Sequence, residues 1–417
     1  MIPLEYGLAE MIGIELEYMI VDTQTLDVKP IADDVLKAVT GKYDDEVQCG
    51  DITWSNELAR HVIELKTSAP VTSLRGLGEK FAANIQRINR ILASMDACLM
   101  PSAMHPWMRP QRDMQIWPHA DNPVYRAFDR IFDCTGHGWA NLQSMHINLS
   151  FGNGEEFGRL HAAMRMVLPI LPALAASSPI KEGKISGVAD TRLDVYRHNA
   201  DRFPRVAGNI IPEQAFTPQD YVRDILEPIY RDLQPHDPEG VLRHEWVNSR
   251  GCIARFDRNS CEIRLLDVQE CPDADLAIAE VVVAVVRALC AERLSSTVEQ
   301  RGWQPGPLGA ILDDCIALGG EAVITNRRYL QTLGIENEVE DEHPTAMHVW
   351  RHLAKKCLDV AASDAALGAA WHALATHGCL SRRLRRALGA APSHGRQREV
   401  YQHLCDCLQR GTLFVPT

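Results

Sequence analysis

The chain has 417 residues, which is too many for one simple core, so we expect one large domain or two unequal ones. Its formal net charge of −12 opposes unspecific attachment to nucleic acid or to an anionic membrane, so small molecules or protein are the expected partners. The sequence has no apolar run of about eighteen residues and no N-terminal signal-peptide pattern, which favours a cytoplasmic protein. Whether copies of the chain form a homo-oligomer stays open.

The first predicted strand, residues 13–22, reads GIELEYMIVD and carries two glutamates inside an apolar run. Residues two apart on a strand point to the same face, so Glu15 and Glu17 stand side by side. Ile14, Leu16 and Tyr18 then face the other way. Adjacent carboxylates repel each other unless a cation lies between them. Taken alone, this fragment favours a solvated sheet face.

The remaining predicted elements mix helices and strands without a regular βαβ alternation. The patterns predict helices over 31–39, 73–95 with a serine cap at Ser73, 155–177 and 273–294, strands over 61–70 and 144–151, a hairpin over 251–269, and an almost wholly helical remainder from about 310. This order favours an α+β fold with an antiparallel sheet and flanking helices. We expect a catalytic domain over 1–300 and a helical C-terminal subdomain over 301–417.

The segment FGNGEEFG, residues 151–158, follows a predicted strand and opens a helix, where a dinucleotide-binding glycine loop would lie. Its glycines are spaced GxGxxxG, and Glu155 and Glu156 would place negative charge where a pyrophosphate belongs. We therefore interpret the segment as a plain helix start. The chain also lacks the glycine-lysine motif of a P-loop.

Two further segments place polar residues on predicted strands. Glu57 and Glu64 lie seven residues apart, an odd spacing that lets both reach one site only if a turn or bulge intervenes. His146 and Asn148 share one face of the strand over 144–151. Taken separately, the two glutamates are best interpreted as solvent-exposed side chains. The histidine alone is best interpreted as an ordinary hydrogen-bonded residue of the core or the surface.

The hairpin over 251–269 adds arginines to these acids. If DRNS is its loop, Glu262 and Arg264 share a strand face and Arg255 lies directly opposite Glu262, although a surface salt bridge would explain this equally well. Taken together, the segments favour a shared site over separate surface groups, because four β segments each present acids, a histidine or arginines on one face. Carboxylates with one imidazole suit Mg²⁺ or Mn²⁺, and neighbouring arginines suit the phosphate that such an ion carries.

Five ordered segments resemble motifs of one known family: GIELEYMIVD, NELARHVIELKTSAP, MHINLSF, ALAASSPIKEGKISGVADTR and SCEIRLLDVQECPDADLA. This is the glutamate-cysteine ligase type 2 family, also called carboxylate-amine ligases, and the resemblance covers roughly Gly13 to Leu294. It implies a glutamine synthetase-like catalytic fold. In that fold an antiparallel sheet forms a half-funnel, with metal and ATP on its concave side.

The resemblance also implies roles for single residues. Six of them resemble the family's metal ligands: Glu15, Glu17, Glu57, Glu64, His146 and Glu262. Arg264 resembles the catalytic arginine that holds the transferring phosphate, with Glu262 beside it, and we expect Arg255 to help bind the nucleotide. We expect Arg192 and Arg197 to clamp a substrate carboxylate, although either could instead form a surface ion pair with a nearby aspartate.

Two segments depart from the family pattern. The loop GVADTR, residues 187–192, stands where the family usually has GYxSYR, and it keeps only Gly187 and Arg192 of that motif. We expect this loop to help form the amino-acid pocket, so the change leaves the identity of the substrate open. The HIN sequence from His146 to Asn148 replaces the HVHVG of many members and resembles the longer enterobacterial-type ligases.

The expected function is that of an ATP-dependent ligase, which phosphorylates a substrate carboxylate and joins it to an amine. L-glutamate and L-cysteine are the favoured substrates, giving γ-glutamylcysteine for glutathione biosynthesis, and another amino acid or amine is the close alternative. A metal-dependent hydrolase and a non-catalytic relative that binds a metabolite or a protein stay open. The basic segment over 381–398 could contact phosphate or RNA, but the acidic chain favours a solvated helix face.

Overall fold

The computed structural model describes residues 6–120, 122–335, 343–359 and 364–416. In these ranges the chain has the predicted α+β fold with an antiparallel sheet. Its strands are β1 (Ile12–Asp22), β2 (Glu46–Cys49), β3 (Ile52–Asn56), β4 (Val62–Thr67), β5 (Ala97–Met100), β6 (Ser144–Ser150), β7 (Ile180–Lys181), β8 (Lys184–Ile185), β9 (Cys252–Arg255) and β10 (Ser260–Asp267).

The described strands form one large sheet and one small hairpin. The large sheet has eight strands in the order β2-β3-β4-β1-β6-β10-β9, and β5 pairs with the C-terminal half of β1. The strand pairs of this sheet are antiparallel, and β7 pairs with β8 separately. As a result, β1 and β6 lie at the centre of the sheet, and residues far apart in the chain become neighbours across it.

Helices flank the sheet and form the C-terminal part of the chain. They are α1 (Ala32–Thr40), α2 (Leu77–Ala93), α3 (Pro110–Asp113), α4 (Asn122–Phe132), α5 (His137–Ala140), α6 (Gly154–Val167), α7 (Pro172–Ala175), α8 (Thr191–Tyr196), α9 (Pro218–Tyr221), α10 (Glu227–Leu233), α11 (Pro272–Cys290), α12 (Thr297–Arg301), α13 (Pro305–Leu318), α14 (Arg327–Thr332), α15 (Ala346–Cys357), α16 (Ala365–His377), α17 (Leu380–Leu388) and α18 (His394–Arg410). Short 3₁₀ turns cover Leu168–Ile170, Glu245–Val247 and Gly319–Glu321, and a π-helical turn covers Val222–Leu226.

The larger of two apolar cores in the described residues lies under the sheet. Ile14, Leu16 and Tyr18 of β1 are fully buried in it, as their alternation with the glutamates predicts. Buried residues of α2, α6 and α11 belong to the same core, and it continues into α15 and α16. The division of the chain near residue 300 therefore stays a prediction, because this core includes residues from both sides of it.

Two helix predictions were wrong in their bounds. The helix after Ser73 begins only at Leu77, because Gly76 has a φ of 71° and takes a left-handed conformation that a helix cannot continue. The long helix predicted over 155–177 is broken into α6, a 3₁₀ turn and α7. Pro169 and Pro172 explain the break, because proline lacks the backbone N–H that an α-helix needs in its interior.

The glycine-containing segment before α6 is a plain helix start, as predicted. Asn153 caps α6, and its side chain accepts hydrogen bonds from the backbone N–H groups of Glu155 and Glu156. Among the described helices, none is both long and apolar enough to cross a membrane.

Candidate active site

One face of the large sheet carries a row of polar residues across neighbouring strands. Glu15 of β1 lies between Lys66 of β4 and His146 of β6, and Glu17 pairs with Glu64 of β4. Alternate residues of a strand point to opposite faces, so these side chains share the face opposite Leu16 and its apolar neighbours. The alternation predicted from the sequence is confirmed for both β1 and β6.

A cavity opens over this row. Its volume is about 730 Å³, which lies in the range that small-molecule sites occupy. Its acidic lining includes all five glutamates predicted from the sequence: Glu15, Glu17, Glu57, Glu64 and Glu262. His146 lines the same cavity, so the fold brings the six residues of the predicted metal site together.

Glu57 reaches the cavity because the chain turns directly after β3. The strand ends at Asn56, and residues 57–61 lead back to β4, which carries Glu64. The turn that the odd spacing requires is therefore present. Ser55 pairs with Glu64 across the two strands and donates its hydroxyl to Glu64 Oε1 at 2.8 Å.

His146 lies at the centre of the acidic residues. Its Nδ1 is 2.9 Å from Glu15 Oε2 and 3.8 Å from Glu262 Oε1. Its Nε2 is 2.9 Å from Ser144 Oγ and 4.0 Å from Glu17 Oε1. Both ring nitrogens therefore face oxygen atoms. The tautomer of the imidazole decides which of these oxygens accepts a hydrogen bond from the ring.

Two groups of residues in the described chain have the composition of a metal site. One group is Glu15, His146 and Glu262, and the other is Glu17, Glu64 and His146. Within each group the ligand atoms lie within 4.8 Å of one another. Carboxylates with one imidazole are a donor set that fits Mg²⁺ or Mn²⁺. Glu57 belongs to neither group, although it lines the cavity.

The acids of this site are short of positive charge. Burial, and then the charges of neighbouring glutamates, raise the pKa of Glu64 to about 7 and raise the pKa of Glu57 well above its ordinary value. Burial also acts to raise the pKa of Glu15, but the hydrogen bond and charge of His146 outweigh it and hold that pKa below its ordinary value. A divalent cation would offset the repulsion between Glu57, Glu64 and their acidic neighbours, which is a second sign that the residues fit a metal.

Arginines of β9 and β10 line the cavity beside the acids. Arg264 Nε donates to Glu262 Oε1 at 2.6 Å, and Arg255 Nη1 lies 3.4 Å from Glu262 Oε2. The predicted register was wrong, because Arg255 pairs with Ser260 and Glu262 pairs with Ile253. The hairpin loop covers residues 256–259, one residue earlier than DRNS, so Arg255 reaches Glu262 diagonally.

The two arginines predicted to bind a substrate carboxylate lie in different places. Arg192 lines the active-site cavity, and its guanidinium donates to the carbonyl of Arg264 at 2.9 Å and faces Asp267 Oδ1 at 3.4 Å. Arg197 does not line that cavity. It forms ion pairs with Asp194 at 2.7 Å and Asp313 at 2.8 Å, which is the surface arrangement that the sequence left open.

Several residues of the cavity were not predicted. Lys66 lies 3.3 Å from Glu64 Oε1, and its position two residues after Glu64 on one strand was a readable signal. Arg258 lines the rim from the hairpin loop. Trp139 and Trp246 complete an aromatic part of the lining, and they come from the short helix α5 and a 3₁₀ turn, which are too short for a sequence periodicity to indicate a site.

The loop over 187–192 contributes less to this cavity than expected. Arg192 lines it, but Gly187 and Ala189 line a different cavity among the C-terminal helices. The backbone N–H of Ala189 donates to the carbonyl of Ala317, which ties the loop to α13. The expectation that this loop helps form the amino-acid pocket therefore stays a prediction that rests on Arg192, since Gly187 and Ala189 line the other cavity.

Comparison with known sequences gives one family. The family model described as glutamate-cysteine ligase family 2 matches residues 11–305. A chain from Archaeoglobus fulgidus described as an uncharacterised protein is 39% identical over 279 residues, which cover 67% of this chain and 74% of that relative. A Rubrobacter xylanophilus protein with the provisional name glutamate-cysteine ligase 2-3 is 28% identical over 189 residues, 44% of this chain and 48% of the relative. The chain spans about half the length of several relatives that carry the ligase name.

Comparison with solved structures agrees on the fold. The glutamate-cysteine ligase of Francisella tularensis, solved in complex with AMP, is 13% identical and gives a TM-score of 0.59 over 95% of this chain and 89% of that chain. At this identity the likeness concerns the fold alone. The family match covers well over half of the sequence and includes the strands that carry the acids, His146 and the arginines. The chain belongs to glutamate-cysteine ligase family 2, a family of carboxylate-amine ligases.

Proposed function

We propose that this protein is an ATP-dependent ligase that phosphorylates a substrate carboxylate and lets an amine displace the phosphate. One observation carries the proposal: a single cavity is lined by carboxylates and His146 and, beside them, by Arg255 and Arg264. Acids with an imidazole suit a divalent cation, and arginines suit phosphate oxygens. Family membership supports the reaction class, and the AMP in the Francisella tularensis ligase supports an adenine nucleotide as a ligand of this cavity.

The residues that would hold Mg²⁺ or Mn²⁺ are the two groups around His146, with Glu57 beside them. When bound, the cation neutralises charge on the triphosphate and on the transferring phosphoryl group. Neighbouring polar groups set the positions of the ligands. Asn148 donates to Glu15 Oε1 at 3.0 Å, and the backbone N–H of Ser144 donates to Glu17 Oε2 at 2.8 Å.

Arg264 is proposed to stabilise the charge of the phosphoryl group as it moves to the substrate carboxylate. Its Nε is held by Glu262, so its terminal nitrogens present a planar fork whose position is fixed. Arg255 shares Glu262 and is proposed to contact the nucleotide. The product of the first step is an acyl phosphate, and the amine then attacks its carbonyl carbon and releases phosphate.

The favoured substrates are L-glutamate and L-cysteine, which would give γ-glutamylcysteine, the product that precedes glutathione. The family name supports glutamate as the carboxylate substrate. Another amino acid or amine as acceptor is the close alternative, because the loop over 187–192 departs from the family motif. Arg192 is the proposed anchor for the substrate carboxylate in either case.

A hydrolase is the second candidate, and a specific set of contacts favours it. Ser144 Oγ, both nitrogens of His146 and a carboxylate oxygen of Glu15 form a chain with distances of 2.9 Å on either side of the imidazole. This is the order of a serine, histidine and acid triad. A triad leaves Glu57, Glu64 and the arginines without a role, whereas the ligase uses them.

The test is a coupled ADP-release assay over a panel of carboxylates and amines with saturating Mg²⁺. The ligase predicts ADP release that needs both substrates and equals the amide formed. Ser144→Ala removes the hydroxyl, so it should leave ligase turnover within about fivefold, the effect of one neutral hydrogen bond. Hydrolysis without ATP that Ser144→Ala abolishes would reject the ligase in favour of the triad. Nucleotide binding without turnover on any pair would indicate a non-catalytic relative.

A further inference from the structure

A second cavity lies among the C-terminal helices, and we call it the helical cavity. Its volume is about 690 Å³, close to that of the active-site cavity. It lies between the C-terminal end of α13, the first half of α15, the end of α16 and the start of α17, and the loop over 187–192 closes one side. Nothing in the proposed ligase reaction uses it.

The lining of the helical cavity is strongly basic. It contains four arginines and one acid: Arg351, Arg382, Arg385, Arg386 and Glu321. Arg382 forms an ion pair with Glu321. Arg351 donates to the carbonyl of Ala375 instead, and Arg385 Nη2 donates to the carbonyl of Val188 at 2.6 Å. In the described part of the chain Arg386 has no hydrogen-bond or ion-pair partner, so three positive charges here lack a neutralising carboxylate.

The solvated helix face expected for the basic segment over 381–398 is confirmed for Arg382, Arg386, Arg396 and Arg398, which are exposed. It was wrong for Arg383, which is buried against Glu270 and the carbonyl of Phe414. The remaining arginines of α17 point toward the helical cavity. The whole chain has a net charge of −12, whereas the arginines of this concave site carry positive charge without carboxylate partners. The local charge is therefore opposite in sign to that of the chain.

Buried polar atoms in the same place lack partners. Ser381 is fully buried and lines the helical cavity, yet its hydroxyl has no hydrogen-bond partner in the structure. Arg385 Nε is buried and also lacks an acceptor. Buried polar groups are rarely left in this state, so each such group needs an explanation. Both atoms have almost no accessible surface, so a ligand in the cavity would contact them only after a side-chain rotation.

We propose that the helical cavity binds a small phosphate-bearing molecule. Phosphate oxygens are acceptors that match the guanidinium forks of Arg385 and Arg386. The start of α17 adjoins the cavity through Gly378, Cys379 and Ser381, and the positive end of a helix favours phosphate as well. The volume and the enclosing helices fit a small molecule. The proposal stands apart from the ligase reaction, because it uses different residues and a different cavity.

The test is isothermal titration with inorganic pyrophosphate in EDTA, which keeps divalent ions out of the active site. Wild type should bind one equivalent. Arg386→Gln should raise the dissociation constant about tenfold, because one charge-assisted contact is lost. Arg386→Glu should raise it further. Arg386 is exposed and holds no other group, so these variants should fold, which thermal melting checks.

Two matched variants act as controls. Arg90→Gln removes an exposed arginine on α2, remote from both cavities, and Arg264→Gln removes the main arginine of the active site. Both should leave pyrophosphate binding unchanged. Absence of binding to wild type, or equal weakening by Arg90→Gln, would overturn the proposal. Loss of binding in Arg264→Gln would assign the anion to the active site, and binding of citrate without pyrophosphate would reject phosphate as the ligand class. No turnover is measured, so a failed ligase assay leaves this test intact.

Discussion

The two faces of β1 have opposite effects on the free energy of the protein. Ile14, Leu16 and Tyr18 are fully buried in the core and stabilise the fold by leaving water. Glu15 and Glu17 lie on the other face among further acids, where burial, and then the charges of neighbouring acids, raise the pKa of Glu64 to about 7. Such a charged face costs stability in the metal-free protein. The alternating pattern of one strand therefore separates residues that stabilise the fold from residues that line the active-site cavity.

The largest expected effect concerns the charged face. Glu15→Gln keeps the shape of the side chain but removes a charge from the group with His146 and Glu262, so turnover should fall by about 10²-fold or more. The fold should be unchanged by circular dichroism, because no apolar contact is lost. The ADP-release assay at saturating Mg²⁺ measures the effect. Near wild-type turnover in this variant, or in Glu262→Gln, would remove the acids from the reaction.

The second prediction concerns the arginines of the active-site cavity. Arg264→Lys keeps the positive charge and loses the planar fork, so turnover should fall by about 10²-fold with only a modest loss of ATP affinity. Arg258→Lys is the matched control, since Arg258 lines the same cavity but its side chain is 57% exposed, and it should change turnover little. Equal effects in the two variants would mean that Arg264 supplies only general positive charge.

The third prediction concerns the apolar face. Leu16→Ala removes a fully buried side chain next to Glu15, so the free energy of unfolding should fall by about 2–5 kcal/mol. Urea unfolding measures this loss. Turnover per folded molecule should be largely kept, because the side chain points away from the cavity. A large loss of turnover at full folding would show that the two faces are not separable.

The smallest expected effect concerns a buried histidine outside the site. Burial, and then the charge of His105, lower the pKa of His61 to about 3, against a smaller opposing effect of Asp113. Between pH 6.5 and about 3 the unfolded chain therefore binds a proton that the folded chain does not, and stability falls as pH falls. From pH 7 to 5, wild type should lose about 2 kcal/mol more than His61→Gln. Identical pH profiles would contradict a neutral buried His61.

Much of the site could be predicted because it lies on strands. The period of two places Glu15 with Glu17 and His146 with Asn148, whatever the tertiary contacts. The hairpin register could not be predicted, because moving its loop by one residue changes the partner of Arg255 by two positions.

The helical cavity could not be predicted from the sequence, for a different reason. Its walls come from segments near residues 187, 318, 348 and 382, and only the packing of helices brings them together. The prolines after α6 are present in the sequence, but the apolar pattern over 155–177 continues across them and hides the break.

The acyl-phosphate route is the central claim, and an isotope experiment tests it most directly. Glutamate labelled with ¹⁸O in its γ-carboxylate is incubated with the enzyme, ATP, Mg²⁺ and cysteine, and the released phosphate is analysed by mass spectrometry. Phosphorylation of the carboxylate followed by attack of the amine leaves one carboxylate oxygen on phosphate. Labelled phosphate with ADP and γ-glutamylcysteine is therefore the expected result. Unlabelled phosphate alongside the same amide would contradict it.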